Sequence, residues 1–139
     1  MTESIITLGG NKLKMRYCAA AETGFEALAH KSLNVFIPQP EIDDEGNIVK
    51  DEDGKTIYNQ PEASLDDYIR LGVAAIIAAY TIDDNNPPLI DGMDVTRYVL
   101  YAATPSEVKS IISSVSQLRS DWYAVPEVVK TENSESEKN

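Results

Sequence analysis

The chain predicts a mainly α-helical fold: an N-terminal β-hairpin, then a bundle of about four helices, with an exposed acidic hairpin or loop inserted between them. Three observations predict it. Apolar and polar residues alternate on the arm that follows a Gly9-Gly10-Asn11 turn. Several later stretches carry apolar side chains at helical spacing. Two of those stretches open with helix-capping sequence.

The hairpin comes first. Ile5-Ile6-Thr7-Leu8 leads into Gly9-Gly10-Asn11-Lys12, whose glycines and asparagine tolerate the positive φ of a tight turn. On the return arm Leu13, Met15 and Tyr17 alternate with Lys14 and Arg16, which gives one apolar and one solvated face. Residues 19–31 then read as a helix with Phe25, Leu28, Ala21 and Ala29 inward, weakened at Gly24 by about 1 kcal/mol relative to alanine. An apolar run (Leu33, Val35, Phe36, Ile37) follows and stops at Pro38 and Pro40.

Residues 41–60 form the polar insertion, expected to be mobile. Residues 48–58 suggest one exposed hairpin turning at Asp53-Gly54. Ser64 opens the next helix, with Asp66 and Asp67 at the positive end of its dipole. Leu65, Ile69, Val73, Ile76, Ile77 and Tyr80 keep helical spacing beside Gly72, and Ala74, Ala75, Ala78 and Ala79 let a neighbour approach closely. Asn85-Asn86-Pro87-Pro88 ends that run. A third helix begins near Gly92 or Asp94 and carries Val95, Tyr98, Val99 and Ala102.

Thr104-Pro105-Ser106-Glu107 is a complete helix start: a threonine cap, proline at the first position and glutamate closing a capping box. Val108, Ile111, Ile112, Val115, Leu118 and Trp122 form the stripe behind it, and Pro126 is expected to end the helix. Residues 1–125 therefore read as a single domain and 126–139 as a flexible polar tail. No internal repeat is expected.

Bulk properties narrow the function classes. At 139 residues and 42% hydrophobic, the chain is long enough for one buried core, and its apolar runs are too short to span a bilayer. Twelve basic residues against 23 acidic give a net charge of −11, which disfavours nucleic acid and anionic membrane as partners. Much of that charge is local, because seven acids (Glu41, Asp43, Asp44, Glu45, Asp51, Glu52, Asp53) lie between residues 41 and 53. Met1-Thr2-Glu3-Ser4 supplies no basic start for a secretory signal, and Cys18 is a lone cysteine that suits a reducing cytoplasm as a small buried hydrophobe.

Tests for chemistry point away from catalysis. The sequence holds no phosphate-cradling glycine loop, dinucleotide fingerprint or metalloprotease helix. His30, the single histidine, reads as structural, and one histidine with one cysteine makes a zinc site unlikely chemistry. From Glu41 to Glu52 the acidic run mimics a twelve-residue calcium loop, but glutamates at its first and fifth positions are too long and prolines replace the entering helix. A solvated hairpin fits better. Asp66 and Asp67 are adjacent on a helix and do not face each other, so dipole capping explains them better than acid–base work. No catalytic, cofactor-binding or metal-ligating residue is therefore expected. Trp122 and Tyr123, followed by Val125, Val128 and Val129, either close the core or offer aromatic anchors to a partner.

The hairpin, Met15-Arg16-Tyr17, Glu22, Phe25-Glu26 and Lys31-Ser32-Leu33 together resemble the N-terminal region of tail assembly chaperones of long-tailed, siphovirus-type bacteriophages or prophages. Members of that family open with a short two-stranded element and an arginine–aromatic pair. A helix with an aromatic–glutamate step follows, closed by Gly-Lys-Ser-hydrophobic, where His30 here takes the glycine's place. The later layout is similar, with an alanine-rich helix, a helix start at Asp94-Val95, another at Pro105 to Val108, and a charged tail.

The resemblance implies a non-enzymatic helper in the host bacterial cytoplasm that binds the phage tape-measure protein and the tail-tube protein during tail assembly, with self-association compatible. Two alternatives stand beside it: another phage structural or interaction subunit, and an acidic nucleic-acid mimic that inhibits a DNA-processing enzyme. The mimic requires carboxylates in duplex-like rows, whereas those here cluster in a loop and a tail.

Overall fold

The computed structural model describes residues 2–138, with side chains described as far as Ala124. Two antiparallel strands, β1 (Glu3–Leu8) and β2 (Asn11–Arg16), precede helix α1 (Ala19–Ala29) and a 3-10 turn (Leu33–Phe36). Helices α2 (Leu65–Thr81), α3 (Val95–Tyr101) and α4 (Pro105–Lys138) complete the chain. The hairpin and helical bundle are as the sequence predicts.

Strand pairing runs from Glu3↔Arg16 to Leu8↔Asn11, so Gly9 and Gly10 form the two-residue turn. Both are left-handed, at φ 57° and 80°. Gly9 is further constrained by space, because a Cβ there would lie 2.6 Å from Ile90 Cγ2. Ile6, Leu8, Leu13, Met15 and Tyr17 point inward and are buried. The alternation in the sequence is the alternation in the sheet.

Helix α2 is the centre of the bundle. β2, α1, α3 and α4 all pack against it, and Leu71, Val73, Ala75 and Ile76 are fully enclosed. Of the residues expected at helical spacing, Val73 and Ile76 are buried, and the four alanines do admit close neighbours. Leu65 is 65% exposed and Ile77 only partly buried, while Leu71 and four alanines are in the core. Short side chains explain the difference, since alanine and glycine let neighbours close in on every side. At Gly72 the approach of α4 is so close that a Cβ would fall 2.2 Å from Ile111 Cγ2.

Capping follows the sequence. The Ser64 hydroxyl accepts from the Asp67 N–H (3.2 Å), and the Asp67 carboxylate accepts from the Ser64 N–H (2.9 Å). Asp94 caps α3 by accepting from the Arg97 N–H. Thr104 and Glu107 form the same reciprocal box on α4, at 3.2 and 2.9 Å. Ile111, Val115 and Leu118 are buried along its inner face.

Two sequence expectations are corrected. Helix α4 continues through Pro126 to Lys138; a proline lacks one N–H donor, and a helix absorbs that loss with one missing rung. The expected hairpin at residues 48–58 is present, with Lys50 bridging Thr56 around the Asp51–Gly54 turn. A second turn of the same kind at Asp43–Gly46, with Ile42 bridging Ile48, precedes it, and the two are joined in a three-way closure. The Glu41 N–H donates to the Ile57 carbonyl (2.8 Å), Ile57 to Val49 (3.0 Å) and Val49 back to Glu41 (2.9 Å). Residues 41, 49 and 57 lie eight apart, as do Asp43 and Asp51, and Gly46 and Gly54. An eight-residue repeat is therefore present after all. Each aspartate accepts from two N–H groups of its own turn, Asp43 from Glu45 and Asn47, Asp51 from Asp53 and Lys55.

Candidate partner-binding surfaces

Trp122 and Tyr123 lie together on α4, with ring centroids 5.0 Å apart, but their surroundings differ. Trp122 is half-buried against the core and packs on Tyr17 at 5.4 Å. It closes the interior. Tyr123 is 46% exposed, and its hydroxyl donates to the Glu22 carboxylate, which also accepts from the Tyr17 hydroxyl (2.8 Å).

Burial, then the hydrogen bond to Glu22, raises both tyrosine hydroxyls above their ordinary pKa, while the Arg119 charge pulls the other way. The Arg119 guanidinium lies 5.0 Å from the Tyr123 ring and 5.5 Å from that of Phe36. Phe36, Ile37, Pro38, Ser116 and Ser120 join them around a hollow of about 430 Å³. Sequence reading missed Arg119 and Phe36 because they come from separate segments. The side chains of Val125, Val128 and Val129 lie outside the described residues.

A second, apolar feature runs beside α2. Ala20, Gly24, Ala27 and Leu28 of α1 face Ala74, Ile77, Ala78 and Thr81 of α2 across a hollow of about 370 Å³. Gly24 permits this approach, since a Cβ there would meet Ala74 Cβ at 3.3 Å. On the other side of Ile77, a second hollow of about 760 Å³ opens among Asn86, Pro87, Leu89, Val95, Leu100 and Tyr101. Leu89 is 63% and Tyr101 83% exposed. The sequence carried a signal for this surface: Leu100 and Tyr101 fall off the inward stripe of Val95, Tyr98 and Val99. A further apolar hollow, of about 430 Å³, lies between Leu65 and the start of α4, at Pro105, Val108 and Ile112.

The remaining chemical candidates hold the fold together. His30 ends α1 in a left-handed conformation (φ 55°, ψ 39°) and donates its N–H to Glu26. Cys18 precedes α1, half-buried, without a side-chain cap bond. Asp66 pairs with Arg70 at 2.8 Å on one helix face. Asp67 is buried, and Lys31 reaches it at 3.0 Å. Burial alone would raise its pKa, but the Ser64 N–H, the Lys31 ammonium and the Ser64 hydroxyl outweigh burial and lower it.

Glu107 behaves likewise. Its carboxylate accepts from the Gly9 N–H (2.7 Å), the Thr104 N–H (2.9 Å) and the Tyr98 hydroxyl (2.8 Å). These donors overcome burial and lower its pKa. Among the described residues no three His, Cys, Asp or Glu side chains are grouped to hold a metal ion, and no helix is long and apolar enough to cross a membrane. No protein-family model, curated protein or solved structure matches the chain.

Proposed function

We propose that this chain is a non-enzymatic tail assembly chaperone of the siphovirus type, which binds tape-measure and tail-tube proteins in the bacterial cytoplasm during tail morphogenesis. The observation that carries this reading is the open apolar surface beside α2 on a chain of net charge −11. Exposed apolar patches bordered by polar groups are where proteins meet partners, and the surplus charge keeps such a complex in solution.

The motif behind the resemblance supports it from another side. Tyr17 and Phe25 are core residues. The Glu26 carboxylate accepts from the Leu33 N–H (2.8 Å), Lys31 pairs with Asp67, and Ser32 caps the 3-10 turn. His30 adopts the left-handed conformation that glycine enters most readily, and glycine is the residue the family carries there. These residues hold the fold, which leaves the client to surfaces elsewhere.

Co-expression with a helical tape-measure segment in bacteria tests the reading. The soluble fraction of the segment is expected to rise several-fold with this chain present and to return to baseline without it. No change in solubility, or recovery of this chain from purified mature particles, overturns the reading; the second outcome makes it a structural subunit.

A further inference from the structure

We propose that the groove on both sides of Ile77 seats a basic amphipathic helix of the client, an inference that rests on the chaperone reading and names its contact face. The two hollows share Ile77 as a common wall residue and together flank α2 from α1 to α3. The first is walled by α1 and α2 over a floor of alanine and glycine, and the second by α2, α3 and the loop between them at Asn86, Pro87 and Leu89. A helical ridge with apolar residues at i, i+3, i+4 and i+7 enters such a trough, and an extended strand finds no free sheet edge there. Leu89, Tyr101 and Ile82, all more than half exposed, stand at or beside this end of the groove, ready to be covered.

Charge decides the partner's polar face. Asp94 lines the second hollow, and exposed Asp84 and Asp91 lie on the segments leaving α2 and entering α3, while Asp83 beside them already pairs with Lys14 at 3.6 Å. Arg97 is the basic residue lining that hollow. Lysine or arginine on the shoulders of an incoming helix meets complementary charge. A second copy of this chain is the poorer occupant, because a two-fold contact would set these carboxylates against their own equivalents.

The probe is a synthetic helix of about 18 residues, roughly five turns, with a leucine–alanine face and lysine elsewhere, compared with a twin carrying glutamate for lysine. The full-length chain is expected to bind the lysine peptide about tenfold more tightly than the glutamate one, and more weakly as salt rises. Amide shifts are expected to move at Gly24, Ile77 and Leu89. Ala27→Arg, on an exposed site, fills and charges the groove and is expected to weaken binding about tenfold with an unchanged melting temperature. Leu89→Ser, also exposed, removes an apolar lip and is a second, independent test.

Equal binding of both peptides, shifts confined to the hollow at Arg119, or full affinity in both variants overturns the inference. So does concentration-dependent dimerisation that Ala27→Arg abolishes. The two readings fail separately. If Ala27→Arg still keeps the tape-measure segment soluble, the groove assignment falls and the chaperone reading stands. If the lysine peptide seats in the groove but the segment never becomes soluble, the reverse holds.

Discussion

The helical body and the acidic insertion satisfy their backbones in opposite ways. In the body, backbone-to-backbone hydrogen bonds run mostly within a helix or the hairpin, and side chains make the long-range joins, as at Gly72 against Ile111, Tyr17 against Trp122 or the Gly9 N–H on the Glu107 carboxylate. In the insertion, the backbone makes the long-range joins through the closure of Glu41, Val49 and Ile57. Its large apolar side chains stay outside, with Ile42 54%, Ile48 50% and Tyr58 60% exposed. A packed core makes each part depend on every other, whereas a ring of three backbone bonds depends on little beyond itself.

Gly72→Val puts this contrast under the greatest stress. The added side chain collides with Ile111 at the contact between α2 and α4, where neither backbone has room to yield. A loss of about 3 kcal/mol or failure to fold is expected, read by denaturant unfolding. A variant within about 0.5 kcal/mol of the parent would mean that the core is looser than described.

Acid gives the next effect. Asp67 and Glu107 titrate below their ordinary values of 3.8 and 4.5 in the folded chain. Their stabilisation is whole above the unfolded values and is lost as pH falls through the lower folded ones. Unfolding monitored by tryptophan fluorescence should show stability draining below about pH 4. Glu107→Gln is expected to cost about 1–2 kcal/mol at neutral pH and to flatten part of that acid dependence. An unchanged pH profile in this variant would remove Glu107 as a contributor.

The insertion supplies the mildest perturbation. Gly46 and Gly54 both sit at positive φ, 86° and 81°, with open space around them. Replacing both by alanine strains the turns by about 1 kcal/mol each without reaching the core. Amide exchange at Glu41, Val49 and Ile57 is expected to accelerate while the melting temperature of the body stays put. Unprotected amides there in the parent chain would bear out the mobility expected from sequence. A drop in the melting temperature of the body would tie the two regions together.

What was legible in the sequence was local. The Gly9-Gly10 turn, the Ser64–Asp67 box and the Thr104–Glu107 box are contacts between near neighbours, so spacing alone reveals them. The surroundings of α2 were not legible, because alanine permits burial without saying which neighbour arrives. Trp122 was ambiguous for the same reason: its partner Tyr17 lies on the opposite end of the chain. The insertion is a different case. Its eight-residue spacing of Asp43 and Asp51, Gly46 and Gly54 stands open in the sequence. Reading only the Asp53-Gly54 turn hid it, since hairpin patterns relate two segments and this closure joins three. The hollow at Arg119 and Phe36 left no local trace at all.

The bond from the Gly9 amide to Glu107 has a consequence for synthesis. A ribosome releases the hairpin first, yet the acceptor for its turn and the helix that covers Gly72 are translated almost a hundred residues later. Until α4 leaves the exit tunnel, the nascent chain holds a sheet and a central helix with one flank bare. Closure is thus timed by translation of its final helix, and a message truncated before residue 107 yields a polypeptide that cannot complete its own interior.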